Sequence, residues 1–168
     1  MFIRIYRLLF PALVTIFFIA ISNVNFRNEF FISYVPIIST MAIFYWAAFW
    51  PELMPKVIVF IIGIVQDAIQ GMPFGFSSLS LLILWFAIYS QRRFISGESF
   101  IGIWLIYIVA VAIYMVINLL VISLYFKHMI FSHDLITVWL MNCILYPIFH
   151  YIFYKMHSSL INNLKIKD

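Results

Sequence analysis

Residues 63–71 read GIVQDAIQG, an acid set between two glycines inside a hydrophobic run. The chain has 168 residues, six of them acidic, and 66% are apolar. Charged side chains make up 10% and mean hydropathy is +1.10, against roughly 25% charged in soluble domains. So much apolar surface exceeds what a water-soluble fold of this size buries, and lipid is the expected solvent. In lipid every backbone N–H and C=O must be satisfied within the protein, which leaves helices or a closed barrel. Period-2 alternation is absent, while LLILWFAIY (81–89) and IWLIYIVAVAIYMVINLLVISLYF (103–126) are apolar on every side. The expected class is therefore an all-α integral membrane protein.

A helix needs about 20 residues to cross the hydrocarbon. Divided at its charges, Pro/Gly clusters and polar runs, the chain gives one membrane domain, 1–168, with six spans at about 5–23, 33–50, 56–71, 75–90, 100–126 and 135–154. GMPFG (71–75) supplies a tight turn between the third and fourth, which makes them a helical hairpin. With the N-terminus cytoplasmic, Arg4, Arg7, Lys56, Arg92, Arg93, Lys155, Lys165 and Lys167 fall inside, against Arg27 and Lys127 outside. A five-span reading sends Arg92 and Arg93 outward and weakens that asymmetry, so six spans with both termini cytoplasmic are expected. The net charge of +4 arises from this inside excess; the bilayer is the expected contact, and no nucleic-acid patch is present. A cleaved leader ending near Ser22 is disfavoured, because Ala-x-Ser is a weak site and the topology works with the first span retained. The longest loops are too short to fold alone.

An ionised carboxyl at membrane depth costs on the order of 2.5 to 3.5 kcal/mol, so Asp67 needs compensation. Gly63, Asp67 and Gly71 recur every four residues and share one face of the third helix, where small residues let another helix approach closely. Gln66 and Gln70 flank the acid and offer amide donors. Asn118 and Asn142 are the plainest amides in other spans, and counting about 1.5 Å per residue places them with Asp67 in the outer half. They fit either separate interhelical hydrogen bonds or one polar pocket of Asp67, Asn118 and Asn142, with Ser77, Ser78 and Ser80 nearby. Pro147 removes one ladder bond from the sixth helix and invites a kink. Trp46, Trp50, Trp85 and Trp104 are read as interfacial aromatics.

No HExxH, GxSxG or second membrane acid to pair with Asp67 is present. His128 and His133-Asp134 are read as interfacial residues of an outer loop, and His150 and His157 as packing residues. The lone Cys143 supports no disulfide framework. No catalytic, cofactor-binding or metal residue is expected.

The spacing Pro36, Tyr45-Trp46, Pro51, followed by F-x-x-G-x-x-x-D-x-x-x-G-x-x-x-G through Phe60, Gly63, Asp67, Gly71 and Gly75, resembles the central region of the rod shape-determining MreD family. Asn142, Leu145 and Pro147 resemble its closing N-x-x-L-x-P helix. The resemblance implies a compact six-helix bundle similar to the S-components of energy-coupling-factor transporters. It also implies a non-enzymatic subunit of the cell-wall elongation complex in the bacterial inner membrane. Such a subunit binds an MreC-like scaffold and is linked, directly or indirectly, to MreB, RodA and penicillin-binding protein 2. Gly63, Asp67, Gly71, Gly75, Asn142 and Pro147 would then serve structure and partner docking. The rival expectation is a small-molecule-binding transporter subunit that uses Asp67, Asn118 and Asn142.

Overall fold

A computed structural model describes residues 2–23, 38–126 and 134–165. They form six α-helices: α1 (Phe2–Asn23), α2 (Ile38–Phe49), α3 (Lys56–Gln70), α4 (Phe76–Ile95), α5 (Phe100–Phe126) and α6 (Asp134–Lys165). A 3-10 turn, Pro51–Leu53, joins α2 to α3, and no strand occurs among the described residues. The helices match the six expected segments in number and order. Two run well past their expected C-terminal ends: α4 continues through QRRFI, and α6 passes Lys155 to Lys165, since no proline or glycine stops either. Pro36 and residues 33–37 of the second expected span lie outside the described residues, as do Arg27, Lys127, His128, His133 and Lys167.

Side-chain contacts set the helix directions. Gly63 meets Ser78 and Met54 meets Trp85, so α3 and α4 are antiparallel. Ser80 bonds Asn118 across α4 and α5, which a short connection joins. Trp104 reaches Cys143 and Trp139 reaches Ile108, so α5 and α6 are antiparallel. Phe44 packs on Tyr146 and Trp46 on Phe153, so α2 and α6 are parallel. Hence α3 and α5 run one way and α2, α4 and α6 the other. Lys56, Arg92, Arg93 and Lys155 gather at the end that carries the 3-10 turn, and Gly71–Gly75 lies at the opposite end.

Helix α2 is the axis of the bundle. Ser39 through Ala48 are all buried, the state of a helix that is apolar on every side and surrounded by others. It packs against α1, α4 and α6. Beside it, the rings of Tyr107 and Tyr146 stack with centroids 3.9 Å apart, and Phe44 meets both edge-on at 5.2 and 5.6 Å. Trp46 and Trp85 are buried within the bundle rather than standing in an outer belt. Large apolar side chains meanwhile cover the outward faces: Phe17 on α1, Phe60 on α3, Phe86 on α4, Leu105 on α5 and Ile144 on α6 are all exposed. Among the described residues two stretches, Phe100–Tyr125 and Leu135–Ser158, are long and apolar enough to cross a membrane.

Gly63 sets the α3–α4 spacing. A Cβ built there would lie 2.3 Å from Ser78 Cα and 2.5 Å from its nitrogen, backbone atoms that cannot swing aside. Gly63→Ala should therefore separate the hairpin and destabilise the protein by about 1–3 kcal/mol. Gly102→Ala is the control. Its nearest neighbour is the tip of the Glu98 side chain at 2.9 Å, which can move, and alanine is the better helix former, so stability should change by less than about 1 kcal/mol. Denaturant unfolding in detergent, followed by circular dichroism, distinguishes the two.

Candidate functional site

Asp67 lies in the last turn of α3 and is fully buried. Its Oδ2 accepts the Gly75 N–H at 2.8 Å and its Oδ1 the Ser77 N–H at 2.9 Å. Both donors belong to the start of α4, where the first backbone N–H groups have no partner within the helix. Oxygen acceptors and negative charge are both favoured at that terminus. The Asp67 carbonyl accepts the Gly71 N–H and, at 3.0 Å, the Met72 N–H, which closes the end of α3. One residue therefore ends one helix and begins the next. Sequence reasoning offered Gln66 and Gln70 as donors to the acid; the structure uses two backbone amides. They were missed because a turn's N–H groups carry no residue-type signal.

The motif glycines divide into two roles. Gly63 makes the close approach to Ser78, and Ser78 Oγ donates to the Phe60 carbonyl at 3.0 Å. Gly71 and Gly75 have φ of +66° and +104°, with nothing within 4 Å of a built Cβ. They supply left-handed turn conformations that other residues adopt at a cost, not packing space on the α3 face.

The remaining polar residues do not converge on Asp67. Ser80 Oγ donates to Asn118 Oδ1 at 3.2 Å, one turn along α4. Asn142 is fully buried in the aromatic core. Its amide donates to the Val138 carbonyl at 2.8 Å, and its Oδ1 accepts from the Tyr107 hydroxyl at 3.4 Å. A cavity of about 190 Å³ is walled by Gln66, Ser77, Tyr114 and Asn118 among others, whereas Asp67 and Asn142 lie outside its lining. Tyr114 sits within hydrogen-bonding reach of Asn118 and Gln66. The single pocket of Asp67, Asn118 and Asn142 is thus replaced by one in which Asn118 is joined by Gln66 and Tyr114.

Helix α6 runs unbroken through Pro147. Proline has no N–H to give to the carbonyl four residues back, which belongs to Cys143. Trp104 Nε1 donates to that carbonyl at 2.9 Å, so the bond missing from the ladder is supplied by the neighbouring helix. His150 and His157 pack among rings: His150 Nδ1 lies 3.1 Å from the Tyr146 hydroxyl, and His157 sits 4.2 Å from the Trp50 centroid. Among the described residues no group of three His, Cys, Asp or Glu side chains could hold a metal ion.

Comparison with protein-family models, with curated proteins and with solved structures finds no match.

Two predictions test this geometry. Asp67→Asn keeps one acceptor oxygen but turns an amide toward the second backbone N–H, and should cost on the order of 1–3 kcal/mol. Asp67→Ala strands both N–H groups and should cost roughly twice as much, with the loss of amide protection in hydrogen exchange concentrated at Gly75 and Ser77. Separately, Trp104→Phe should cost about 1 kcal/mol in the wild-type background. It should cost less once Pro147→Ala restores the helix's own donor, giving a coupling of about 0.5–1 kcal/mol in a double-mutant cycle.

Proposed function

We propose that this chain is a multi-pass protein of the bacterial cytoplasmic membrane, six helices crossing with both termini cytoplasmic. Its role is that of a non-enzymatic subunit of the cell-wall elongation complex, holding the membrane helix of an MreC-like scaffold and so helping to maintain rod shape. The apolar outward faces support the membrane reading, since a soluble monomer rarely exposes a contiguous apolar patch above a few hundred Å². The gathering of Lys56, Arg92, Arg93 and Lys155 at one end supports the orientation.

The observation that carries the partner is a groove of about 390 Å³ between α4 and α5, walled by Leu84, Ala87, Ile88, Leu105, Val109 and Ile113 among others. It follows α4 from Ile83 to Ile95 and α5 from Leu105 to Ile117. At 1.5 Å per residue that is about 18 Å, or three turns of each helix, more than half of a hydrocarbon core about 30 Å thick. An apolar helix lays the ridge of its i, i+3, i+4 and i+7 side chains into such a groove. The MreD-like spacing from Phe60 to Gly75 names the kind of partner. The Asp67 hairpin positions α4, and α4 forms one wall.

Ala87→Trp and Val109→Trp fill the groove from its two walls, away from the Asp67 turn and from the Gly63–Ser78 contact. Each should reduce recovery of the co-expressed MreC-like protein at least tenfold and round the cells, while this chain stays at wild-type level in the membrane. Reporter domains fused to both termini should be active only in the cytoplasm. Full recovery of the partner and intact rod shape with both tryptophans would overturn the assignment.

A further inference from the structure

We infer that the cavity walled by Gln66, Ser77, Tyr114 and Asn118 holds a small amphiphilic ligand. The ligand presents an O–H or N–H donor to the amide oxygen of Gln66 and lays an apolar part along Met115 and Val138. This is a binding site separate from the groove and does not depend on the partner proposed for it.

The first observation is Gln66 itself. The residue is 4% exposed and lines the cavity, yet its Oε1 has no hydrogen-bond partner among the described residues. A buried amide oxygen without a donor is an uncommon and costly state. Near it, Asp67 takes two backbone N–H groups, Ser80 bonds Asn118, and Tyr114 lies within reach of both Asn118 and Gln66. In this proposal, binding turns the Gln66 amide so that its oxygen meets a donor in the cavity.

The second observation is the mismatch between space and polarity. The cavity measures about 190 Å³, far more than the space one water needs. Its polar lining is confined to Gln66, Gln70, Ser77, Tyr114 and Asn118. Met115, Leu119 and Val138 make up much of the remaining wall. One donor joined to an apolar body satisfies both parts of the lining where water satisfies one. A lipid headgroup bearing an amine or hydroxyl and a free small amine or alcohol share this chemistry.

The test uses the full chain, purified in detergent and stripped of lipid. Thermal unfolding is followed with phosphatidylethanolamine or phosphatidylglycerol in one arm and with n-hexylamine or n-hexanol in the other. Gln66→Met, close in shape and lacking the oxygen, is run alongside. A rise of several degrees in Tm in the wild type, lost in Gln66→Met, supports the site, and the arm that gives it identifies the source. Native mass spectrometry of the freshly extracted protein should show the adduct mass in the wild type and lose it in the variant. No shift in either arm, or equal shifts in wild type and variant, would overturn the proposal, as would an experimental map showing only ordered water around Gln66.

Discussion

The fold depends on two hydrogen bonds from the backbone of α4 to the carboxyl group of Asp67. A helical hairpin has to satisfy, within one short turn, the free N–H groups of a new helix and the free carbonyls of the old one. Asp67 meets both needs from one residue, by side chain and by carbonyl. The glycine one turn earlier lets Ser78 approach within range, and the glycines at 71 and 75 let the chain reverse in five residues. If the acid is removed, the amides of Gly75 and Ser77 lose their acceptor, while the close α3–α4 contact still keeps Ser77 buried.

The same constraint explains two other interhelical bonds. Pro147 leaves the Cys143 carbonyl without its helical donor, and Trp104 supplies one. The chain leaves helical geometry at the 3-10 turn after α2, and the Met54 carbonyl there takes the Trp85 indole N–H at 3.0 Å. In each case a break in the ladder becomes a point of attachment for another helix. A rearrangement that separates α5 from α6 must break the Trp104 bond and leave a carbonyl unpaired, which opposes a hinge at Pro147.

Much of this was legible in the sequence where chemistry is one-dimensional. Helix number follows from apolar runs and the GMPFG turn, and the weight placed on Asp67 follows from the cost of an acid in an oily run. What escaped was azimuth. Helix α5 is apolar all round, so nothing in its pattern separates the buried Ile103, Tyr107, Val111 and Tyr114 from the exposed Leu105, Val109 and Ile113; only the polar tips of Tyr107, Tyr114 and Asn118 mark the inner face, in hindsight. The tryptophans misled for a related reason. An indole carries the same amphipathic character at a lipid interface as against a free carbonyl in the core, and position along the helix does not tell these apart. Gly71 fell in a four-residue repeat with Gly63 and Asp67, but helical periodicity stops at the cap, and its positive φ belongs to the turn.

Local and global requirements agree through much of the bundle: the ladder bond broken at Pro147 is repaired by Trp104, Gly63 sits where a Cβ would clash, Gly71 and Gly75 where φ is positive, and rings fill the centre. Gln66 departs from that agreement, one residue from the acid that fixes the hairpin and in the wall of a cavity. The Tyr114 hydroxyl within reach of its side chain accounts for an amide there, and the amide oxygen is left without a donor among the described residues. A polar atom kept unpaired beside unfilled space is a pattern expected where stability has been given up for recognition. Tyr114 lines both that cavity and the α4–α5 groove. Whatever occupies the cavity therefore rests against a ring whose position also shapes the groove, and a shift of that ring by either occupant alters the space left for the other.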